Sequence, residues 1–208
     1  ITLGRTSVGV LVADVSGHGL GPALLMAQTQ AYLRALAESH DDPGDLLTHA
    51  NRLFALSDSG HFVTLFLGRL DAQARSFVHA AAGHQGYLVR ADGTVRVLES
   101  TSIPLGVESH TIVPSGPTIA VAPGDVLVLL TDGIEEARSP DHGMFGLQRA
   151  LDIVRESREK SSAHIVEALI RAARDFTQGE PQTDDITAVV VKMLPETTDG
   201  SKSPIAGS

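Results

Sequence analysis

The chain has 208 residues, 42% of them hydrophobic, with no cysteine and a formal net charge of -9. That length can bury one sizeable core, and the lack of cysteine excludes disulfides, thiolate zinc sites and cysteine nucleophiles while suiting a reducing cytoplasm. The negative charge argues against binding a nucleic-acid backbone, which needs Lys and Arg to neutralise phosphates, and suits a site that gathers cations.

Ile1-Thr2-Leu3-Gly4-Arg5 lacks the charged start and long apolar core of a signal peptide. It reads as the middle of a hairpin, so the chain is expected to be a piece of a longer protein with a sensory or regulatory domain upstream. Val8 to Ala13 is an apolar, β-branched run that predicts a buried strand, with Asp14 at its end and a Gly-rich turn after it. Pro22 suits the first position of a helix running from Ala23 to Ala37, apolar on most sides and therefore expected to be largely buried. Leu24, Leu25 and Met26 on it could form a partner groove, although packing is the commoner use of such residues.

A second helix is predicted after Asp41-Asp42, with Pro43 in its first turn and an apolar stripe of Leu46, Ala50 and Leu53. Phe62 to Leu70 and Ser76 to Ala82 read as one hairpin, and Tyr87 to Arg90 with Val95 to Leu98 as another around an Asp-Gly turn. Thr118 to Val121 and Val126 to Leu130 make a third strand-turn-strand unit that leads into Thr131-Asp132-Gly133. Amphipathic helices follow, marked by Leu147, Ala150, Leu151 and Val154, then by Ile165, Leu169, Ala172 and Phe176. Ile186 to Val191 is the last strand, entered from Asp184-Asp185. No stretch approaches the roughly 20 apolar residues that span a bilayer, so no direct membrane insertion is expected. Residues 195–208 carry no periodicity and are expected to be a disordered tail after a single domain of residues 1–194. This order of elements predicts an α+β layered domain, with helix pairs covering the outer faces of stacked sheets.

Three acidic motifs therefore sit at strand ends: Asp14-Val15-Ser16-Gly17-His18-Gly19, Thr131-Asp132-Gly133 and Asp184-Asp185-Ile186-Thr187. Any one of them alone is an ordinary turn. Together, without cysteine or zinc-like histidine spacing, they point to Mg²⁺ or Mn²⁺, which prefer oxygen ligands. Two such ions held about 3.5 to 4 Å apart can activate a water for in-line attack on phosphorus.

These motifs, with Ala82-Gly83-His84 and Pro104-Leu105-Gly106, resemble in kind and order those of the metal-dependent PPM (PP2C-type) serine/threonine phosphatases, in the bacterial SpoIIE and RsbU-like branch. The resemblance covers the chain up to its tail and implies an α-β-β-α sandwich of two mainly antiparallel sheets flanked by helix pairs. It implies that Asp14 bridges two Mn²⁺ or Mg²⁺ ions, that the Val15 carbonyl ligates the first, and that Asp132 and Asp184 hold the second, with Asp185 shaping the loop. It further implies hydrolysis of phosphoserine or phosphothreonine on a STAS-type anti-sigma-factor antagonist in a partner-switching pathway. His18 is a candidate proton donor to the leaving hydroxyl. His84 is expected to stabilise its own turn.

Relatives also carry a Gly-Gly-Asp-aromatic-x-Asp segment just before the first apolar strand, supplying a carboxylate to the first metal, and this sequence starts after that point. The expected consequences are an exposed sheet edge and a second metal position better retained than the first. That gap keeps open a non-catalytic PPM-fold module that binds a phosphoprotein or regulator. A simple cation-binding or structural domain, in which the carboxylates need not converge, is the third alternative.

Overall fold

Period-two alternation along buried strands decides this architecture, because each central strand must satisfy an apolar layer on both of its faces. The computed structural model describes residues 1–4, 6–54, 60–180 and 185–195. In chain order the elements begin with β1 (Thr2–Leu3), β2 (Ser7–Val15), α1 (Leu20–Leu36) and α2 (Pro43–Phe54). The middle is β3 (Val63–Asp71), β4 (Ser76–Ala82), β5 (Gly86–Val89), β6 (Val95–Leu98), β7 (Ile119–Ala120) and β8 (Val126–Leu130). A one-turn α3 (Asp132–Glu135), the short pair β9 (Arg138–Ser139) and β10 (Gly143–Met144), α4 (Leu147–Ser157), α5 (Ser162–Phe176) and β11 (Ala188–Lys192) complete it.

The strands form one sheet ordered β1-β2-β3-β4-β7, a second ordered β11-β8-β5-β6, and the separate β9–β10 pair. Val63, Leu65 and Leu67 of β3 face α1 and α2 together with Leu25, Leu33, Leu46 and Leu47. The intervening Phe66 faces the other sheet, where it joins Val12, Phe77, Leu88, Leu127 and Leu129. On β8 the parity repeats, with Val126, Val128 and Leu130 packed beneath Ala150, Val154, Ile165 and Leu169 of α4 and α5. The result is the expected α-β-β-α sandwich with three apolar layers. Burying each Val or Leu contributes about 1.5 to 3 kcal/mol, which is why the VLVLL run of β8, buried on both faces, has no polar position.

Two expectations change. α1 is not largely buried: Pro22, Leu25, Thr29 and Leu33 form its only buried stripe, and Leu20 and Leu24 stand exposed. An outer-layer helix has one sheet to cover, and the uncharged composition of α1 hides which side that is. The units at 118–121 and 126–130 do not pair with each other. β7 pairs with β4 and β8 with β5 and β11, so the chain crosses between sheets at Ala122–Asp125. The proposed tail at 195–208 lies outside the described residues except for its first.

The β1–β2 hairpin is present, with Thr2 opposite Val8 and Leu3 opposite Ser7. Beyond Gly9, which bonds to Ile1, the outer edge of β2 borders an open groove of about 800 Å³, lined by Val10, Val12, Met26, Ala27, Val189 and Val191 among others.

Asp125 holds the crossover. It is 2% exposed, accepts the backbone N–H groups of Ala122 at 2.9 Å and Ala91 at 3.0 Å, and pairs with Arg90 Nη1 at 2.7 Å. Arg90 also donates to the Ala120 carbonyl at 2.8 Å. Asp125→Ala removes the acceptor while leaving the donors in place, so it should cost about 3 kcal/mol in urea denaturation.

His79 lies between the sheets, with its ring stacked 5.1 Å from Phe66. Its Nε2 bonds to the Glu99 carbonyl at 3.2 Å, and its Nδ1 is buried without a hydrogen-bond partner among the described residues. Burial holds its pKa below the ordinary 6.5, partly offset by the Glu99 carbonyl, with Arg96 lowering it further. The unfolded chain therefore takes up a proton that the folded chain refuses. The stability that this contributes is complete above pH 6.5 and is lost as pH falls through that value, with a limiting slope near 1.4 kcal/mol per pH unit. Denaturation measured from pH 7.5 to 5 should show a shallower loss in His79→Leu than in the parent.

Candidate metal centre

Topology brings the ends of several strands to one end of the sandwich. β2 stops at Asp14 and Val15, opposite Thr64 and Val63, where antiparallel β3 begins. β4 is antiparallel to β3 and so parallel to β2, finishing at the same end, where Leu65 bridges to Gly83. The chain then steps into the second sheet through Gly83, His84 and Gln85. Gly86 makes the step possible, since a Cβ there would stand 2.7 Å from Leu129 Cδ2 and 2.9 Å from Phe66 Cε2. β5 and β8 are antiparallel, with Tyr87 opposite Val128, so β8 exits at this end into Thr131 and Asp132. β11 enters at the same end, with Ala188 opposite Leu130.

Strand parity aims Asp14. Leu11, Ala13 and Val15 pack on the helix side, whereas Val12 packs between the sheets, and Asp14 shares the Val12 face. The carboxylate therefore leaves the half-buried end of the inter-sheet layer. The Val15 carbonyl is also set apart from β3, because Val63 exchanges both of its backbone bonds with Leu105, each 2.9 Å. N–H and C=O of one strand residue point the same way, so Val15 directs its carbonyl toward the open edge of β2.

Asp132 is exposed at the first position of α3. Its position depends on Thr131, a residue that the sequence reading gave no role. Thr131 is 5% exposed and latches the entry of β11 to the exit of β8. Its N–H donates to the Thr187 carbonyl at 3.1 Å, its hydroxyl donates to the Asp185 carbonyl at 3.0 Å, and the same hydroxyl accepts the Thr187 N–H at 2.9 Å. The third acidic motif is thereby tied beside the second. Asp184 itself lies outside the described residues. Among those residues no three His, Asp or Glu side chains gather into a group able to hold a metal.

The surrounding electrostatics favour a cation. Burial raises the Glu135 pKa, and the negative charges of Asp132 and Glu136 raise it further. Tyr87 is pushed up to about 12 by burial and by the charges of Glu135 and Glu99. Among the described residues the ion pairs of Arg90, Arg155 and Arg158 involve other acids. The carboxylates and the outward-turned Val15 carbonyl at these strand ends are oxygen donors, the kind that hard divalent ions take. Burial lowers the His84 pKa, and the neighbouring Leu130 backbone and the Asp132 charge oppose that shift. Its buried Nε2 has no hydrogen-bond partner among the described residues.

The Gly-rich loop is held from below. Ser16 N–H donates to the Phe62 carbonyl at 2.9 Å, and Ser16 Oγ accepts the Phe62 N–H at 3.0 Å. Gly17 and Gly19 have φ of 87° and 98°, a region that side chains disfavour, and His18 between them is exposed. His61, which the sequence reading passed over, fills the space beneath the loop: Cβ atoms on Gly17 and Gly21 would lie 3.5 and 3.7 Å from its ring. Asn51 was also passed over. It is 1% exposed on α2, accepts the Gly106 N–H at 2.9 Å and donates to the carbonyls of Glu108 at 2.8 Å and Thr111 at 3.3 Å. It pins the Pro104-Leu105-Gly106 loop against the start of β3, and its one sequence signal is an amide beside the apolar stripe of α2.

The family model described as "Stage II sporulation protein E (SpoIIE)" matches residues 4–194. Phosphoserine phosphatase RsbU of Bacillus subtilis (strain 168) is 26% identical over 195 residues, covering 90% of this chain and 56% of that protein. The chain thus spans about half the length of this curated relative. The solved SiaA-PP2C domain of Pseudomonas aeruginosa has a TM-score of 0.78 at 22% identity, covering 90% of this chain and 80% of its own. A more distant fold relative, the catalytic domain of the serine/threonine phosphatase PstP in complex with two manganese ions, has a TM-score of 0.59 at 16% identity, with 94% of each chain covered. With the family model matched over nearly the whole described chain and the fold shared with solved relatives, the chain belongs to the family of stage II sporulation protein E.

Proposed function

We propose that this domain is a metal-dependent phosphatase acting on phosphoserine or phosphothreonine of a regulatory protein. The observation that carries this reading is the meeting of the β2 end, the β8 exit and the β11 entry at one end of the sandwich. Asp14 would bridge two divalent ions, the Val15 carbonyl would serve the first, and Asp132 with Asp184 the second. When bound, Mn²⁺ or Mg²⁺ would neutralise phosphate charge and lower the pKa of the attacking water. The two manganese ions of PstP and the phosphoserine phosphatase name of RsbU support this assignment.

The protein's own groups have separate tasks. Thr131 fixes the spacing between Asp132 and the Asp185 segment. Ser16 and His61 shape the loop that presents His18, the candidate donor of a proton to the leaving oxygen. The substrate we favour, from the resemblance of the motifs, is a phosphorylated STAS-type anti-sigma-factor antagonist, with the phosphatase unit at residues 1–194 following a regulatory domain. The alternative reading is a PPM-fold module that binds its phosphoprotein without turnover.

Manganese-dependent hydrolysis and calorimetric Mn²⁺ titration, on this chain and on one extended by its native upstream residues, test both readings. The extended protein should bind two ions and turn over, the isolated chain should hold the second ion better than the first, and Asp132→Ala should lower turnover roughly a hundredfold or more. Turnover that survives Asp132→Ala would sink the mechanism. Inactivity of both parent proteins would favour the binding module.

A further inference from the structure

Around the end where β2, β8 and β11 meet, four large apolar side chains face outward: Leu20 at 77% exposure, Leu24 at 62%, Val107 at 58% and Phe62 at 41%. Scattered exposed leucines are ordinary, but these belong to one continuous surface. Leu20 is the chain neighbour of Gly21, whose Cβ would stand 3.7 Å from His61 Nε2. Phe62 follows His61, and Val107 follows Gly106, whose Cβ would lie 3.3 Å from the His61 carbonyl and 3.8 Å from Phe62 Cα. Leu24 lies one helical turn beyond Leu20 on the same face of α1.

The segments that carry these side chains are also free of charge. No Asp, Glu, Lys or Arg occurs from Val15 to Leu33, from Gly60 to Gly68 or from Ser100 to Val107, in a chain with a net charge of -9. Residues 76–89 and 109–124 are likewise uncharged, but only the first three segments carry these outward apolar side chains beside the Asp14 loop. An apolar surface next to a polar centre is the pattern of a protein-docking core with its functional group at the rim.

We infer that Leu20, Leu24, Phe62 and Val107 form the docking platform for the folded protein that bears the phosphorylated residue, which this surface holds by apolar burial while the phosphate reaches the carboxylate end. The inference rests on the phosphatase reading for the identity of its occupant. Continuity with the Asp14 loop is what selects that occupant, since a protein whose phosphoserine enters this end must lie over these side chains. The absence of charge makes burial, rather than salt bridges, the source of affinity.

The test uses the full-length protein with Mn²⁺ and a serine-phosphorylated STAS-domain protein as probe, with binding read by calorimetry and p-nitrophenyl phosphate as a small substrate. Leu20→Gln with Leu24→Gln keeps good helix formers on α1 and should weaken probe binding at least about tenfold while leaving p-nitrophenyl phosphate hydrolysis unchanged. Val107→Gln, outside any helix, should act in the same direction and carries the test if the double variant misfolds. Unchanged probe binding in the variants, or no binding by the parent, overturns the platform. So does a variant whose only change in sedimentation is a dimer becoming a monomer, which would make the patch a contact between copies. A parent that binds the probe but hydrolyses neither substrate refutes the phosphatase reading and leaves the docking platform standing.

Discussion

The dry layer between the two sheets is the constraint on which everything else here depends. Phe66, Phe77, Leu127 and Leu129 pack across it, and the chain has to pass from one sheet to the other without disturbing that packing. It does so after β4 at Gly83–Gly86, after β6 through residues 99–118 and after β7 at Ala122–Asp125, with small glycines at the first and the fully bonded Asp125 carboxylate at the last. The first crossing sets β4 and β5 end to end, and with them the exits of β2 and β8. The candidate centre is thus a by-product of the sheet crossing, placed where the apolar layer runs out and carboxylates can reach water.

Each functional segment is held by a neighbour that is not itself a candidate ligand. Thr131 ties the β11 entry to the β8 exit, Ser16 ties the Gly-rich loop to Phe62, and Asn51 ties the 104–111 loop to α2. These bonds are short in space and long in sequence, so they transmit the register of the sheets directly to the site. Hard-cation sites tolerate little misplacement of their oxygens, and fixed loops suit them better than mobile ones. The outward apolar surface formed by α1, Phe62 and Val107 rests on the same scaffold, which keeps it in a constant relation to the carboxylates.

Much of this was legible in the order of residues. The apolar run Phe62 to Leu70, the Asp92-Gly93 turn and the stripes of α4 and α5 identified their elements, because local patterning reports how much of a strand or helix is buried. The acidic motifs were legible as a set for a different reason, namely that each closes or opens an apolar run. Thr131 and Asn51 were not, since a buried threonine or asparagine looks like any other until its distant partner is known. α1 misled because Ala, Leu and Met without charges read as a core helix, whereas its exposed face is apolar beside the site.

By itself, then, the sequence determined most of the strands and helices, the absence of thiolate ligands, the carboxylates of the candidate site and the likeness to the SpoIIE family. Only the tertiary structure decided that β7 and β8 belong to different sheets, that Asp14 leaves from the inter-sheet face, that the Val15 carbonyl is turned from β3, and that Leu20 and Leu24 are left outside. The division has a physical origin. Local patterns encode how much of each segment is buried, but which segments share a face depends on pairings between residues tens of positions apart, and those are settled only when the two sheets close on their common core.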